Sequence, residues 1–136
     1  MSEKIRLGII GVGNMGSAHG TNIVGGRCPD FELRAVADVN PARLEWAREH
    51  LGAVECFDNA IAMLDSGKID ACMVCVPHYD HAKYAMECMK RGIHVMVEKP
   101  AGVYTKQVRE MNAEADRHPD VVFGMMFNQR TNCVYR

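Results

Sequence analysis

The residues of this 136-residue chain that could do chemistry stand just after its apolar runs. Gly11, Gly13 and Gly16 have G-x-G-x-x-G spacing in GIIGVGNMGSAHG, directly behind the first such run. That spacing suits a phosphate: Gly11 permits a tight turn, Gly13 lets the backbone approach a pyrophosphate, and Gly16 lets a helix pack closely on a strand. Asn14 and Met15 would open that helix, offering unpaired N–H groups where the helix dipole favours negative charge. Asp38 closes the second apolar run about 20 residues further on, where an acid accepts hydrogen bonds from adenosine ribose hydroxyls. The bland use of the same residue is a strand-end acid that faces solvent or caps the next helix. Like charges 4 Å apart repel by roughly 4 kcal/mol at an effective dielectric of 20, so a carboxylate there disfavours a 2′-phosphate. NAD rather than NADP is the expected cofactor, although Arg43 on the following helix is a cation that could reach toward a phosphate.

The fourth and fifth apolar runs end in VPHYDH and VEKP. Ligands of doubly wound sheets bind outside the carboxyl ends of the strands, so these two edges should flank the nicotinamide. On residue types alone, Glu98 and Lys99 before Pro100 read as a surface ion pair closed by a turn. His78 and His81, three apart at a helix start, have no third ligand nearby and no H-E-x-x-H, and no metal site is expected. Cys72 and Cys75 form a C-x-x-C within ACMVCVP. That stretch reads as a strand, on which side chains three apart face opposite ways and can neither bridge nor share a metal. All six cysteines are scattered, and reduced thiols are expected.

These groups need a frame, and the hydrophobic pattern supplies one. Strands are expected at IRLGII from residue 5, LRAVAD from 33, VECF from 54, ACMVCV from 71, IHVMVE from 93 and VVFGMMF from 121. Most are near-continuous in apolar residues, as for strands covered on both faces. Amphipathic stretches of helical period lie between them. Asn40 before Pro41 is an N-cap and first-turn pair, with Asp58 and Thr105 read as caps in the same way. Gly25, Gly52, Gly67 and Gly92 are placed where helices end in a left-handed residue. Tyr84, Ala85, Cys88 and Met89 form a stripe that should pack on the sheet. Strands alternating with helices over short connections demand a parallel sheet with right-handed crossovers, here an α/β doubly wound sheet of six strands in spatial order 3-2-1-4-5-6. No internal linker or repeat divides residues 1–136, which read as one dinucleotide-binding domain.

Bulk properties narrow the partner. Hydrophobic residues make up 48% and charged residues 24%, which excludes disordered and fibrous classes. The net charge of −1, with both signs interspersed, lacks the positive footprint that binds nucleic acid or anionic lipid, so a small molecule is the expected partner. No apolar run approaches the ~20 residues of a membrane span and the first residues do not have the pattern of a signal peptide, so the cytoplasm is the expected compartment.

Taken together, GxGxxGxxH from Gly11 to His19, AVADVNPAR from Ala35, the P-x-x-x-H of Pro77 and His81, the E-K-P of Glu98 to Pro100 and NQR from Asn128 resemble the glucose–fructose oxidoreductase, inositol dehydrogenase and MocA family. The resemblance spans the whole chain. It implies that Lys99 reaches the place where substrate meets nicotinamide and stabilises alkoxide character there. It also implies that Glu98 orients or pairs with neighbouring groups, that Pro100 fixes the chain exit, and that Pro77, His81 and Glu98 belong to the cofactor-binding set. His19 is read as a packing and hydrogen-bonding residue. For His78 the family more often has asparagine or another small polar residue. Family members carry a second domain with much of the substrate pocket, the catalytic histidine and the usual oligomer contact, and none of that is expected within residues 1–136. The implied function is the cofactor domain of an oxidoreductase acting on a sugar, cyclitol or related polyol, homo-oligomeric in full-length form. The alternative is a free-standing NAD-binding sensor without catalysis. GVGNMG also resembles the opening of imino-acid and β-hydroxyacid reductases, which lack the E-K-P.

Overall fold

The computed structural model describes residues 3–135. Its strands are β1 (Ile5–Ile10), β2 (Phe31–Ala37), β3 (Glu55–Phe57), β4 (Ala71–Val74), β5 (His94–Glu98) and β6 (Phe123–Met126). Five helices connect them: α1 (Asn14–Val24), α2 (Pro41–His50), α3 (Ala60–Asp65), α4 (His81–Lys90) and α5 (Thr105–Arg117). The strands form one sheet in the order β3-β2-β1-β4-β5-β6, and every pairing is parallel, as the pattern requires. All turns that follow the strands therefore emerge along one edge, with the chain order reversing between β1 and β4.

Two apolar layers sandwich the sheet. Ile23 of α1 and Leu44 and Ala47 of α2 meet Leu7, Ile9, Leu33 and Val36 on one face. Met63 and Leu64 of α3, Ala85, Cys88 and Met89 of α4, and Met111 of α5 meet Ile10, Val74, Val95 and Val97 on the other. The stripe on α4 packs as read, with Tyr84 half-buried at its margin. The C-x-x-C pair is split: Cys72 lies in the α3–α5 layer and Cys75 packs against the α1–α2 layer. All six cysteines are free thiols. The α1–α2 side covers only part of the sheet. Across β4, β5 and β6 it leaves an apolar groove of about 550 Å³ lined by Met73, Met96, Gly124 and Met126, with His19 at its margin.

Several ends differ from the sequence reading. Asn59, not Asp58, caps α3, its Oδ1 accepting from Ile61 N and Ala62 N. Thr105 is the first residue of α5 rather than its cap; Tyr104 precedes it and caps with no side-chain bond. Gly25 has φ −74°, and Gly26, at φ +79°, is the left-handed residue after α1. Asn40 caps α2 as expected, accepting from Ala42 N at 3.0 Å. Gly52, Gly67 and Gly92 all have positive φ.

At the opposite edge from the turns, Arg6 ties the start of β1 to the residue before β4. Its Nε and Nη2 donate to Asp70 Oδ2 and Oδ1 at 3.0 and 2.5 Å, and its backbone N–H also donates to Oδ2. These hydrogen bonds, the side-chain pair above all, hold the Asp70 carboxyl below the usual carboxylate range against a smaller opposing effect of burial. A folded-state value depressed in this way stabilises the fold above the unfolded value of about 3.9 and loses that contribution as pH falls through the folded one. Asp70→Asn should therefore melt below the parent at neutral pH, with the gap closing in acid. Thermal melts across pH check this, and a gap independent of pH would refute it.

Candidate functional site

The first turn of the site forms because Gly11 takes φ +91°, a conformation that side chains rarely adopt. A Cβ at Gly11 would stand 2.7 Å from Cys75 O, so the ends of β1 and β4 abut there without room for one. Gly16 is closer still to its neighbour: a Cβ would stand 1.8 Å from Gly11 O. Gly13 is different, with no protein atom within 4 Å of where its Cβ would be. It precedes α1 in extended conformation and provides no side-chain cap. The first-turn N–H groups of Asn14, Met15 and Gly16 consequently have no capping side chain, at an 11-residue helix whose dipole favours an anion. Open space above Gly13 and uncapped donors behind it fit a diphosphate.

Asp38 follows β2 and is half-buried beside this turn. Its Oδ2 accepts from Val12 N at 2.7 Å and its Oδ1 from Asn40 N at 2.8 Å. The carboxylate thus braces the glycine turn and leads the chain into α2. An ionised carboxylate has about four acceptor positions, so two outer lone pairs remain for hydroxyl donors. The brace on Val12 was not evident from spacing, since its partners lie 26 residues apart.

Beyond β4, Pro77, His78 and Tyr79 are exposed along the same edge. His81 is not: it is 1% exposed, with Nδ1 2.6 Å from Pro100 O and Nε2 2.8 Å from Val76 O. Its ring is turned inward and joins the end of β4 to the turn after β5. Direct contact with a cofactor, expected for His81, would need one of these links to break. Glu98, the last residue of β5, is 6% exposed and faces α1, where its Oε1 lies 2.6 Å from His19 Nε2. Its Oε2 accepts from the Lys99 backbone N–H at 3.3 Å. Glu98 is therefore not half of a surface pair with Lys99. Burial, reinforced by the nearby Glu98 charge, pushes the Cys75 thiol up to about 12, so it stays protonated beneath this edge.

Lys99 is exposed, and among the described residues its amine makes no ion pair, whereas Lys68, Lys90 and Lys106 each do. It lines a shallow cleft with Met126, Phe127, Asn128, Gln129 and Arg130, which places the N-Q-R segment beside it. Among the described residues no group of three or more His, Cys, Asp or Glu side chains is arranged to hold a metal, and no helix is long and apolar enough to cross a membrane.

Comparison with known proteins agrees with this arrangement. Residues 5–125 match an oxidoreductase family with an NAD-binding Rossmann fold, GFO/IDH/MocA. Myo-inositol 2-dehydrogenase of Thermotoga maritima is 30% identical over 126 residues, 93% of this chain and 37% of that protein. D-glucoside 3-dehydrogenase of Escherichia coli is 33% identical over 81% of this chain and 31% of its own length. Scyllo-inositol dehydrogenase of Lactobacillus casei, solved with NAD(H) and scyllo-inositol bound, superposes with a TM-score of 0.93 at 30% identity, covering 98% of this chain and 39% of that one. The chain thus spans less than two fifths of the length of the relatives just named, and it belongs to the GFO/IDH/MocA oxidoreductases as their NAD-binding Rossmann domain.

Proposed function

We propose that this chain is the cofactor-binding part of an NAD-dependent oxidoreductase that removes hydride from a CH–OH group of a sugar, cyclitol or related polyol. Residues 1–136 are read as the N-terminal domain of a longer, two-domain protein that is homo-oligomeric when complete. Six unbridged cysteines suit a reducing compartment, which favours the cytoplasm. The observation that carries the reading is the exposed amine of Lys99, in no ion pair among the described residues, on the strand edge that also carries the glycine turn.

The cofactor, when bound, supplies the hydride acceptor. Gly13, Asn14, Met15 and Gly16 would hold its diphosphate through backbone N–H groups, and the outer lone pairs of Asp38 its ribose hydroxyls. Pro77 would line the nicotinamide side of the crevice, with His81 holding that wall from behind. Lys99 Nζ would donate a hydrogen bond to the substrate hydroxyl and stabilise negative charge on that oxygen as hydride departs, while the hydroxyl proton would pass to a base supplied by the remainder of the full-length protein. Substrate selection would come from the remainder of the full-length protein.

The reading is tested by incubating full-length protein with NAD+ and myo-inositol, scyllo-inositol and D-glucosides, with NADH formation expected for at least one. Tight NAD binding with no turnover of any polyol would instead point to a sensor. Asp38 makes a separate prediction: NAD should bind at least tenfold tighter than NADP, a difference of about 1.4 kcal/mol or more. Asp38→Asn should narrow that ratio and also weaken the glycine turn, because an amide has one acceptor oxygen for two facing N–H groups. Calorimetry with both cofactors measures it, and tighter binding of NADP to the parent would overturn the assignment of Asp38.

A further inference from the structure

The residues on either side of Lys99 are each tied to a histidine from a different helix. On one flank, His19 of α1 meets Glu98 Oε1 at 2.6 Å while Glu98 Oε2 receives the Lys99 backbone N–H. On the other, His81 at the start of α4 lies 2.6 Å from Pro100 O and 2.8 Å from Val76 O. The alternation of β5 explains the first tie. Val95 and Val97 belong to the α3–α5 layer, so Met96 and Glu98 face the opposite side, the one that α1 partly covers. A buried carboxylate on an apolar face needs a partner, and His19 is the side chain on α1 that provides it.

We propose that His19 and His81 are positioning residues that together bracket Lys99, fixing the backbone on both sides of it while its amine stays unpaired. The proposal rests on the reading of Lys99 given above and extends it. A lysine side chain is long and flexible, so a hydrogen bond from its amine to a substrate is only as well aimed as its Cα is fixed. His19 also belongs to the helix whose N-terminus forms the glycine cradle. The same bond therefore sets the distance between the diphosphate site and the lysine, which neither α1 nor β5 sets alone.

The test is a set of double-mutant cycles in the full-length protein, with NAD+ and the polyol turned over most rapidly among myo-inositol, scyllo-inositol and D-glucosides. The rate kcat is expressed per NADH-binding site, counted by fluorescence titration, so that unfolded protein does not enter it. His19→Ala and His81→Phe are each expected to lower kcat at least about tenfold while the Kd for NADH changes by less than about threefold. Added to Lys99→Ala, either should change kcat less than about twofold, because the group they position is already gone. Equal losses in both backgrounds would show a general structural role and overturn the bracket while leaving the role of Lys99 intact. An unchanged kcat in Lys99→Ala, or no turnover of any polyol, would overturn both. His19→Gln covers the case in which the alanine variant does not fold. Its amide N–H can still face Glu98, so kcat should stay within about threefold of the parent, and a loss as deep as that of Lys99→Ala counts against the proposal.

Discussion

Gly16→Ala is expected to remove NAD binding and to weaken the fold, whereas Gly13→Ala should remove binding and leave the fold intact. At position 16 the added methyl would stand 1.8 Å from Gly11 O and 2.9 Å from Gly11 C, where ordinary contact begins at 3.4 Å. Nothing flexible can yield. The obstructing atoms are backbone of a turn already at φ +91°, whose N–H donates to Ala37 O at 2.8 Å and which Asp38 braces through Val12. Helix α1 would have to retreat from β1, carrying the first-turn donors with it. Overpacking of this kind costs about 1–3 kcal/mol, and relief through backbone displacement dismantles the cradle as well. At position 13 the methyl meets no protein atom, yet it occupies the space through which a diphosphate would approach the backbone. Losing the affinity about 100-fold corresponds to 2.7 kcal/mol. Urea melts and NAD titrations on the two variants separate the effects. Undiminished NAD binding by Gly13→Ala would show that the ligand does not lie against this turn.

Lys99→Ala in the full-length protein should lower kcat by about 10²–10³-fold with the Kd for NAD+ nearly unchanged. The size follows from removing one preorganised donor aimed at charge that develops only as the reaction proceeds. Retained NAD affinity follows from geometry, since the cradle lies between β1 and α1 and owes nothing to the Lys99 side chain. Stability should also hold, because the side chain is exposed and joins no ion pair among the described residues. Lys99→Arg should not restore the rate, since a guanidinium presents a planar fork where a compact ammonium is needed. A kcat for Lys99→Ala within a few-fold of the parent would remove this residue from the chemistry.

Local patterns in the sequence carried the framework and left the ties across it invisible. The bounds of β1, the strand order and the α4 stripe follow from hydrophobic period and from the handedness of parallel crossovers, and all are as read. Helix ends slipped by one residue where neighbouring residues could serve the same end: Asp58 beside Asn59, Gly25 beside Gly26. Thr105 failed as a cap for a different reason. The helix begins on it, so its hydroxyl is already past the capping position. The pair His19 and Glu98, 79 residues apart, has no local signature. A usable signal was nonetheless present: strand alternation puts Glu98 on the face opposite Val97, and His19 lies three residues beyond Gly16, on the flank of α1 that hugs the sheet. An acid forced into a layer of methionines calls for a partner from whichever helix overlies it. The inward turn of His81 had no such signal, since the two groups its ring nitrogens face are main-chain carbonyls that any sequence would supply.

The uneven insulation of the sheet separates two tasks. Helices pack against both faces of the half built on β1, β2 and β3; within those strands the groove reaches only Ile5, Leu7 and Phe31, near their starts, and the glycine turn and Asp38 lie at their far ends. The strand that leads to Lys99 runs through the half with one bare side, where Met96 is 39% exposed. On the proposed reading, capturing the dinucleotide belongs to the better-covered portion, and steadying the lysine to the thinner one. Perturbing the bare side should leave a protein that still grips its cofactor and loses its aim.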